Sequence, residues 1–133
     1  MAKKVLVVDD ELDIRIFITT LLETSGFKAI PAKDGVEGLE IARKKKPALV
    51  ILDIMMPKDS GVNLYRELKS DPELKTIPVI MVSAVAKKTF LHSQKVLDEH
   101  KGEKIPEPEG YIEKPPEADE LLDMINSLLG KAD

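Results

Sequence analysis

The chain contains no cysteine, which excludes a disulfide framework and any thiolate metal site and fits a reducing compartment. No apolar run approaches the ~20 residues needed to cross a bilayer. Lys3 and Lys4 precede an apolar run, but Val5 to Val8 is far too short for the core of a secretory signal. Positive charge is not in excess either. Lys and Arg number 20 against 24 Asp and Glu, a formal net charge of −4, which disfavours non-specific nucleic-acid binding. Internal repeats and low-complexity segments are missing. These absences predict a cytoplasmic chain without nucleic-acid or membrane partners.

What is present is enough for a core. Hydrophobic residues make up 43% and charged residues 33% of 133 positions, an ordinary globular composition. One domain spanning residues 1–133 is expected, burying about two-thirds of its unfolded surface. Three apolar runs dominate: "VLVV" at 5–8, "ALVIL" at 48–52 and "IPVIMV" at 77–82. They are rich in Val and Ile and do not alternate with polar residues, as in strands of a parallel sheet covered on both faces. "FKAIP" at 27–31 and "GYIEK" at 110–114 are weaker strand candidates.

Helical periodicity fills the intervals. Ile14, Phe17, Ile18, Leu21 and Leu22 form one apolar stripe, closed by Gly26 as the residue just past the helix end. Asp34 and Glu37 have the spacing of a capping box, with Val36 and Leu39 predicted to face inward. "PKDSG" at 57–61 breaks the chain, and Asp59 or Ser60 suits a helix cap. Beyond it Leu64, Tyr65 and Leu68 are predicted to face the core. Leu121, Ile125, Leu128 and Leu129 make a last stripe, with Pro116 and Glu117 suited to its first turn. The alternation is β-α five times over, so right-handed crossovers predict an α/β, doubly wound parallel sheet with helices on both faces.

In such a sheet, ligands bind beyond the carboxyl ends of the strands. Asp9 and Asp10 end the first strand, Asp53 the third, Ser83 the fourth and Lys114 the fifth. Three carboxylates ~5 Å apart repel pairwise by roughly 3 kcal/mol at an effective dielectric of about 20, so a proton or a cation must sit among them. All-oxygen ligands favour a hard ion, Mg²⁺ above all. Three carboxylates, Mg²⁺ and Lys114 sum to zero charge. Asp53 beside a cation, a lysine and a hydroxyl also suits a nucleophile toward phosphorus.

Four pieces in order, "VVDDE", "ILDIMMPKDSG" at 51–61, "MVSA" at 81–84 and "YIEKP" at 111–115, each sit at a strand end. On them the chain strongly resembles the receiver domain of two-component response regulators, over nearly all of residues 4–129. The resemblance implies a flavodoxin-like sheet of order 2-1-3-4-5. It implies Asp53 as phosphoacceptor and Asp10 as a direct Mg²⁺ ligand. Asp9 would act on the metal mainly through water, and the backbone carbonyl of Met55 as a further ligand. It implies Lys114 as the partner of acceptor and phosphoryl group, Ser83 as the moving hydroxyl and Tyr111 as an aromatic switch. A cis Lys114–Pro115 bond is expected. The donor would be a sensor histidine kinase or phosphotransfer protein. The downstream partner would be a protein, and the chain a monomer or a phosphorylation-dependent dimer. Phosphorylation takes Asp53 from −1 to roughly −2, and Ser83, Lys114 and Tyr111 would respond.

Departures from the family pattern carry their own expectations. The stretch from Ser83 to Lys114 is longer than usual by roughly two helical turns. The extra residues, "DEHKGEKIPEPEG" at 98–110, are charged and contain proline, where family members commonly bind targets or dimerise. The chain ends just after the last helix, so a stand-alone receiver without an output domain is expected. Met55 and Val85 stand where the family tunes hydrolysis. Both are apolar and unable to orient water, which predicts slow autodephosphorylation.

Blander readings compete. Asp10 with Asp13 alone would equally suit a helix cap. Met55 and Met56 read as loop packing, and His92 and His100 as exposed. The basic cluster at 43–46 reads as a solvated helix end, as do Lys87 and Lys88. Two other functions are open: a haloacid-dehalogenase-type phosphohydrolase and a phosphorylation-independent scaffold. The former needs Asp-x-Asp after its first strand, where this chain has Asp9 and Glu11. Flavin binding is disfavoured because Asp9, Asp10 and Glu11 would repel a phosphate.

Overall fold

The computed structural model describes residues 2–130. The apolar runs form the inner strands β1 (Lys4–Val8), β3 (Leu49–Leu52) and β4 (Val79–Ser83). The weaker candidates form β2 (Lys28–Ala32) and β5 (Gly110–Glu113). All pairs are parallel and the order is β2-β1-β3-β4-β5. Five helices separate or follow the strands: α1 (Leu12–Thr24), α2 (Gly35–Lys45), α3 (Ser60–Ser70), α4 (Lys87–Lys101) and α5 (Ala118–Leu129). The protein is therefore an α/β doubly wound, flavodoxin-like fold.

The absence of alternation in the inner strands has a direct cause: both faces are covered. Val5, Val7, Ile51, Val82 and Ile112 pack against Ile18 and Leu22 of α1 and Leu121 and Ile125 of α5. Leu6, Val8, Leu52, Met81 and their neighbours pack against α2, α3 and α4 on the other face. Burying each such side chain contributes about 1.5–3 kcal/mol.

Helix ends follow local chemistry. Gly26, at φ 93°, closes α1. Its N–H donates to the Glu23 carbonyl and the Phe27 N–H to the Leu22 carbonyl, which satisfies two end carbonyls. At α2, Asp34 Oδ1 accepts from the Glu37 N–H at 2.8 Å. Glu37 reaches back to the Lys33 N–H instead of that of the cap residue.

Several expectations need correction. Val36 is 76% exposed. The inward stripe of α2 runs instead through Gly35, Gly38 and Ala42, because the helix lies too close to its neighbours for larger side chains. Phe17 is exposed at the edge of its stripe, while Ile18 and Leu22 are buried. Pro116 and Glu117 precede α5 rather than opening it, Glu117 being its N-cap. A 3₁₀ turn at Pro57–Asp59 runs straight into α3, so no separate cap position exists there. The Ser60 hydroxyl is buried without a hydrogen bond. The side chain of Asp59 lies outside the described structure.

The orientations of α1 and α2 are testable together. Leu22→Ala should lower stability by about 2–5 kcal/mol, whereas Val36→Ser should stay within about 0.5 kcal/mol of the parent. Urea unfolding of both variants reads this, and a comparable loss in the two would contradict the placement of α2.

Candidate functional site

The parallel ladders continue one residue past the strands. The Asp9 N–H donates to the Ala32 carbonyl, the Asp53 N–H to the Val8 carbonyl, and the Lys114 N–H to the Ser83 carbonyl. Asp9, Asp53 and Lys114 are thus held in one row at the carboxyl edge, beside the switch point where the chain leaves β1 toward β2 on one side and leaves β3 toward β4 on the other. Gly61 lets the turn after Asp53 close. A Cβ there would stand 2.3 Å from the Asp53 carbonyl oxygen.

Asp9, Asp10 and Asp53 each offer a carboxylate oxygen within 4.8 Å of the others. Asp9 and Asp53 are buried, Asp10 exposed. Lys114 Nζ lies 3.0 Å from Asp53 Oδ2, 2.8 Å from Glu11 Oε1 and 3.1 Å from Asp9 Oδ2. It donates hydrogen bonds to Asp53 and Glu11. Toward Asp9 it is near enough for electrostatic pairing but not aligned as a donor, so Asp9 Oδ2 is buried without a hydrogen bond. The other Asp9 oxygen accepts from the Glu11 N–H at 2.9 Å.

The electrostatics follow from burial. Desolvation raises the Asp9 pKa, with the Asp53 charge adding to it, while the Glu11 N–H and Lys114 act the other way. A carboxyl whose pKa is raised on folding stabilises the fold most below the unfolded value, and that contribution is lost as pH rises through the folded value. Ionised Asp9 at neutral pH is therefore a standing cost, which a nearby cation relieves. Burial works to lower the Lys114 pKa. Its hydrogen bonds to Glu11 and Asp53 and the charges of Asp53 and Asp9 outweigh that and raise it, so its ammonium stays charged. An unpartnered buried oxygen in an all-carboxylate donor set fits a hard divalent cation such as Mg²⁺.

The other expected site residues surround this row. Ser83 is fully buried, and its hydroxyl accepts from the Val85 N–H at 3.2 Å. Tyr111, half-buried, donates its hydroxyl to the Val85 carbonyl at 2.5 Å. Val85 is thus held from both sides of its backbone. Burial raises the Tyr111 pKa, keeping it a neutral donor. The Met55 N–H donates to Asp53 Oδ1 at 2.9 Å. Its side chain is 61% exposed, which corrects the expectation of loop packing, whereas Met56 is buried. Asp10 does not cap α1, whose N-cap is Glu11 without a side-chain bond. The Lys114–Pro115 peptide is cis. Sequence reasoning missed two contributors: Glu11 as a Lys114 partner, and Arg15, whose guanidinium donates to the Asp9 carbonyl at 2.6 Å. Both lie within the first turns after the acidic pair, and only their contacts reveal them.

The doubly wound sheet thus carries a carboxylate–lysine cluster at its switch point, the arrangement of a phosphorylation-dependent signalling domain. The chain belongs to the response regulator receiver domain family, whose family model matches residues 5–126. It is thus a receiver domain of two-component signalling and not an enzyme in the ordinary sense. It is 38% identical to the polar-differentiation response regulator DivK of Brucella anthropi, over 99% of this chain and all of that one. DivK of Brucella ovis is equally similar. Among solved structures, the chemotaxis response regulator CheY4 of Vibrio cholerae superposes with a TM-score of 0.81 at 25% identity, covering 97% of this chain and 100% of that chain. The receiver domain of Francisella response regulator 1452 gives 0.72 at 31% identity, covering 95% of each.

Lys114→Met leaves two buried carboxylates without their cation. It should lower stability in metal-free buffer by roughly 3–5 kcal/mol, and Mg²⁺ should restore more stability to the variant than it adds to the parent. Thermal melts with and without Mg²⁺ read the difference. Equal Mg²⁺ gains in both would show that the ion does not enter this cluster.

Proposed function

We propose that the protein is a cytoplasmic phosphorylation switch. It accepts a phosphoryl group on Asp53 from a phosphohistidine of a sensor histidine kinase or phosphotransfer protein, and passes the change to a downstream protein. The observation that carries this reading is the buried Asp53 carboxylate, bonded through one oxygen to the Met55 N–H and through the other to Lys114. In the reaction, an Asp53 oxygen forms a bond to phosphorus as the phosphorus–nitrogen bond breaks, and the freed imidazole regains a proton from solvent. Lys114 moves from pairing the carboxylate to pairing a phosphoryl oxygen, which needs little displacement. Asp10, Asp53 and the Met55 carbonyl would hold Mg²⁺, with Asp9 acting through water. Bound there, the ion supplies positive charge against the transferring oxygens.

Gaining roughly one negative charge and new acceptors, the modified Asp53 draws on the donors nearest it. Ser83 gives up the Val85 N–H to serve the phosphoryl group. Val85 then loses one of its two holders, and Tyr111 is free to follow the loop. This is a local charge change biasing a two-state element. Family membership supports this reading over a haloacid-dehalogenase-type hydrolase. A phosphorylation-independent scaffold would not explain a lysine poised on the acceptor.

Incubation with Mg²⁺ and a small acyl phosphate should add one phosphoryl group by intact mass, and Asp53→Asn should add none. Equal labelling of that variant would sink the assignment. Met55 and Val85 offer no group to align an attacking water, so the modified protein should lose its phosphoryl group slowly. The double variant Met55→Asn, Val85→Glu should lose it at least about tenfold faster, the scale of one positioned polar group. Identical lifetimes would remove the lifetime claim.

A further inference from the structure

The residues that lengthen the chain between α4 and β5 are not a loose loop. They are bolted to α3 and β4 at three places. Arg66 of α3, 6% exposed, donates to Gln94 and Asp98 of α4 at 3.0 and 2.9 Å and to Glu103 at 3.1 Å. Lys69, one α3 turn on and almost wholly buried, donates to both Glu109 oxygens at 2.8 and 3.0 Å. Glu109 in turn accepts from the N–H of Val79, the first residue of β4. Between these ends the Tyr65 hydroxyl donates to the Pro106 carbonyl.

Buried charged donors engaged this way resist rearrangement, because any partner lost leaves a desolvated polar group. The segment therefore holds α4 against α3. That matters for the site because Phe90 of α4 stands between Tyr65 and Tyr111. Its ring lies 6.1 Å from the former, edge-on, and 5.8 Å from the latter. An aromatic row thus runs from the segment's anchor to the residue that grips the Val85 carbonyl. A groove of about 390 Å³ lies beside Tyr65, Phe90 and Pro106.

We propose that residues 103–109 are a built-in clasp that opposes the phosphorylated form. By fixing α4 and Phe90, the clasp keeps Tyr111 on Val85 and so keeps the Val85 N–H on Ser83. The inference rests on the phosphoacceptor reading above. If the clasp disfavours the phosphoryl state, that state must loosen the clasp, and loosening the clasp must favour that state by the same factor.

Beryllofluoride with Mg²⁺, a tetrahedral phosphoryl mimic, serves as the probe on the full chain. Its binding should speed amide hydrogen exchange over residues 98–110 by about fivefold or more, a typical coupling between sites. Tyr65→Phe, which keeps the ring and loses the bond to Pro106, should bind the mimic about threefold to fivefold more tightly. Glu103→Gln, at the exposed end of the clasp, should shift affinity in the same direction and carries the comparison if Tyr65→Phe fails to fold. Unchanged or slower exchange overturns the clasp, as does unchanged or weaker binding by the folded variants. If the parent binds no mimic while Asp53→Asn behaves identically, the phosphoacceptor reading falls and takes the clasp with it. Binding by the parent without these shifts removes the clasp alone.

Discussion

The interaction on which the molecule depends is the hold of one ammonium, on Lys114, over carboxylates that would otherwise repel one another at the sheet edge. Asp9 and Asp53 are buried where water cannot screen them, and Lys114 lies within about a hydrogen-bond length of both. A single lysine does not satisfy the group, since one Asp9 oxygen keeps no hydrogen bond. The site is therefore stable enough to fold yet short of positive charge. That imbalance suits the cluster to a hard divalent cation.

The sheet makes this tension tolerable. Five parallel strands with both faces covered supply a core whose burial far exceeds the strain at one edge. The same hydrogen-bond ladder that builds the core runs on into Asp9, Asp53 and Lys114. The charged row is thus positioned by backbone bonds rather than by side-chain packing.

Away from that edge the chain buries charge a second time. Arg66 and Lys69 hold the extra segment before β5 against α3, and Tyr65 ties its centre. Burial raises the Tyr65 pKa, as do the charges of Glu109, Glu107 and Asp98, so its hydroxyl remains a donor. Two polar clusters thus lie at the two ends of the aromatic row of Tyr65, Phe90 and Tyr111, one at the carboxyl edge of the sheet and one on the flank.

The strands and the converging acids were legible in the sequence because their signals are local. Unbroken Val and Ile runs report burial on both faces, and an acid directly after such a run must emerge at a strand end. The Gly26 helix stop was legible for the same reason, as one residue at one required φ. Val36 and Phe17 were misplaced because periodicity gives a stripe but not its centre, and the centre of α2 is set by how closely small residues let it approach its neighbours. Glu11 on Lys114, Glu103 on Arg66 and Glu109 on Lys69 join residues far apart in the chain. Charged side chains carry no periodic mark of burial, so only the assembled structure decides which of them are solvated and which are clamps. The segment at 98–110 read as a charged insertion, and tertiary packing ties it to α3 and β4.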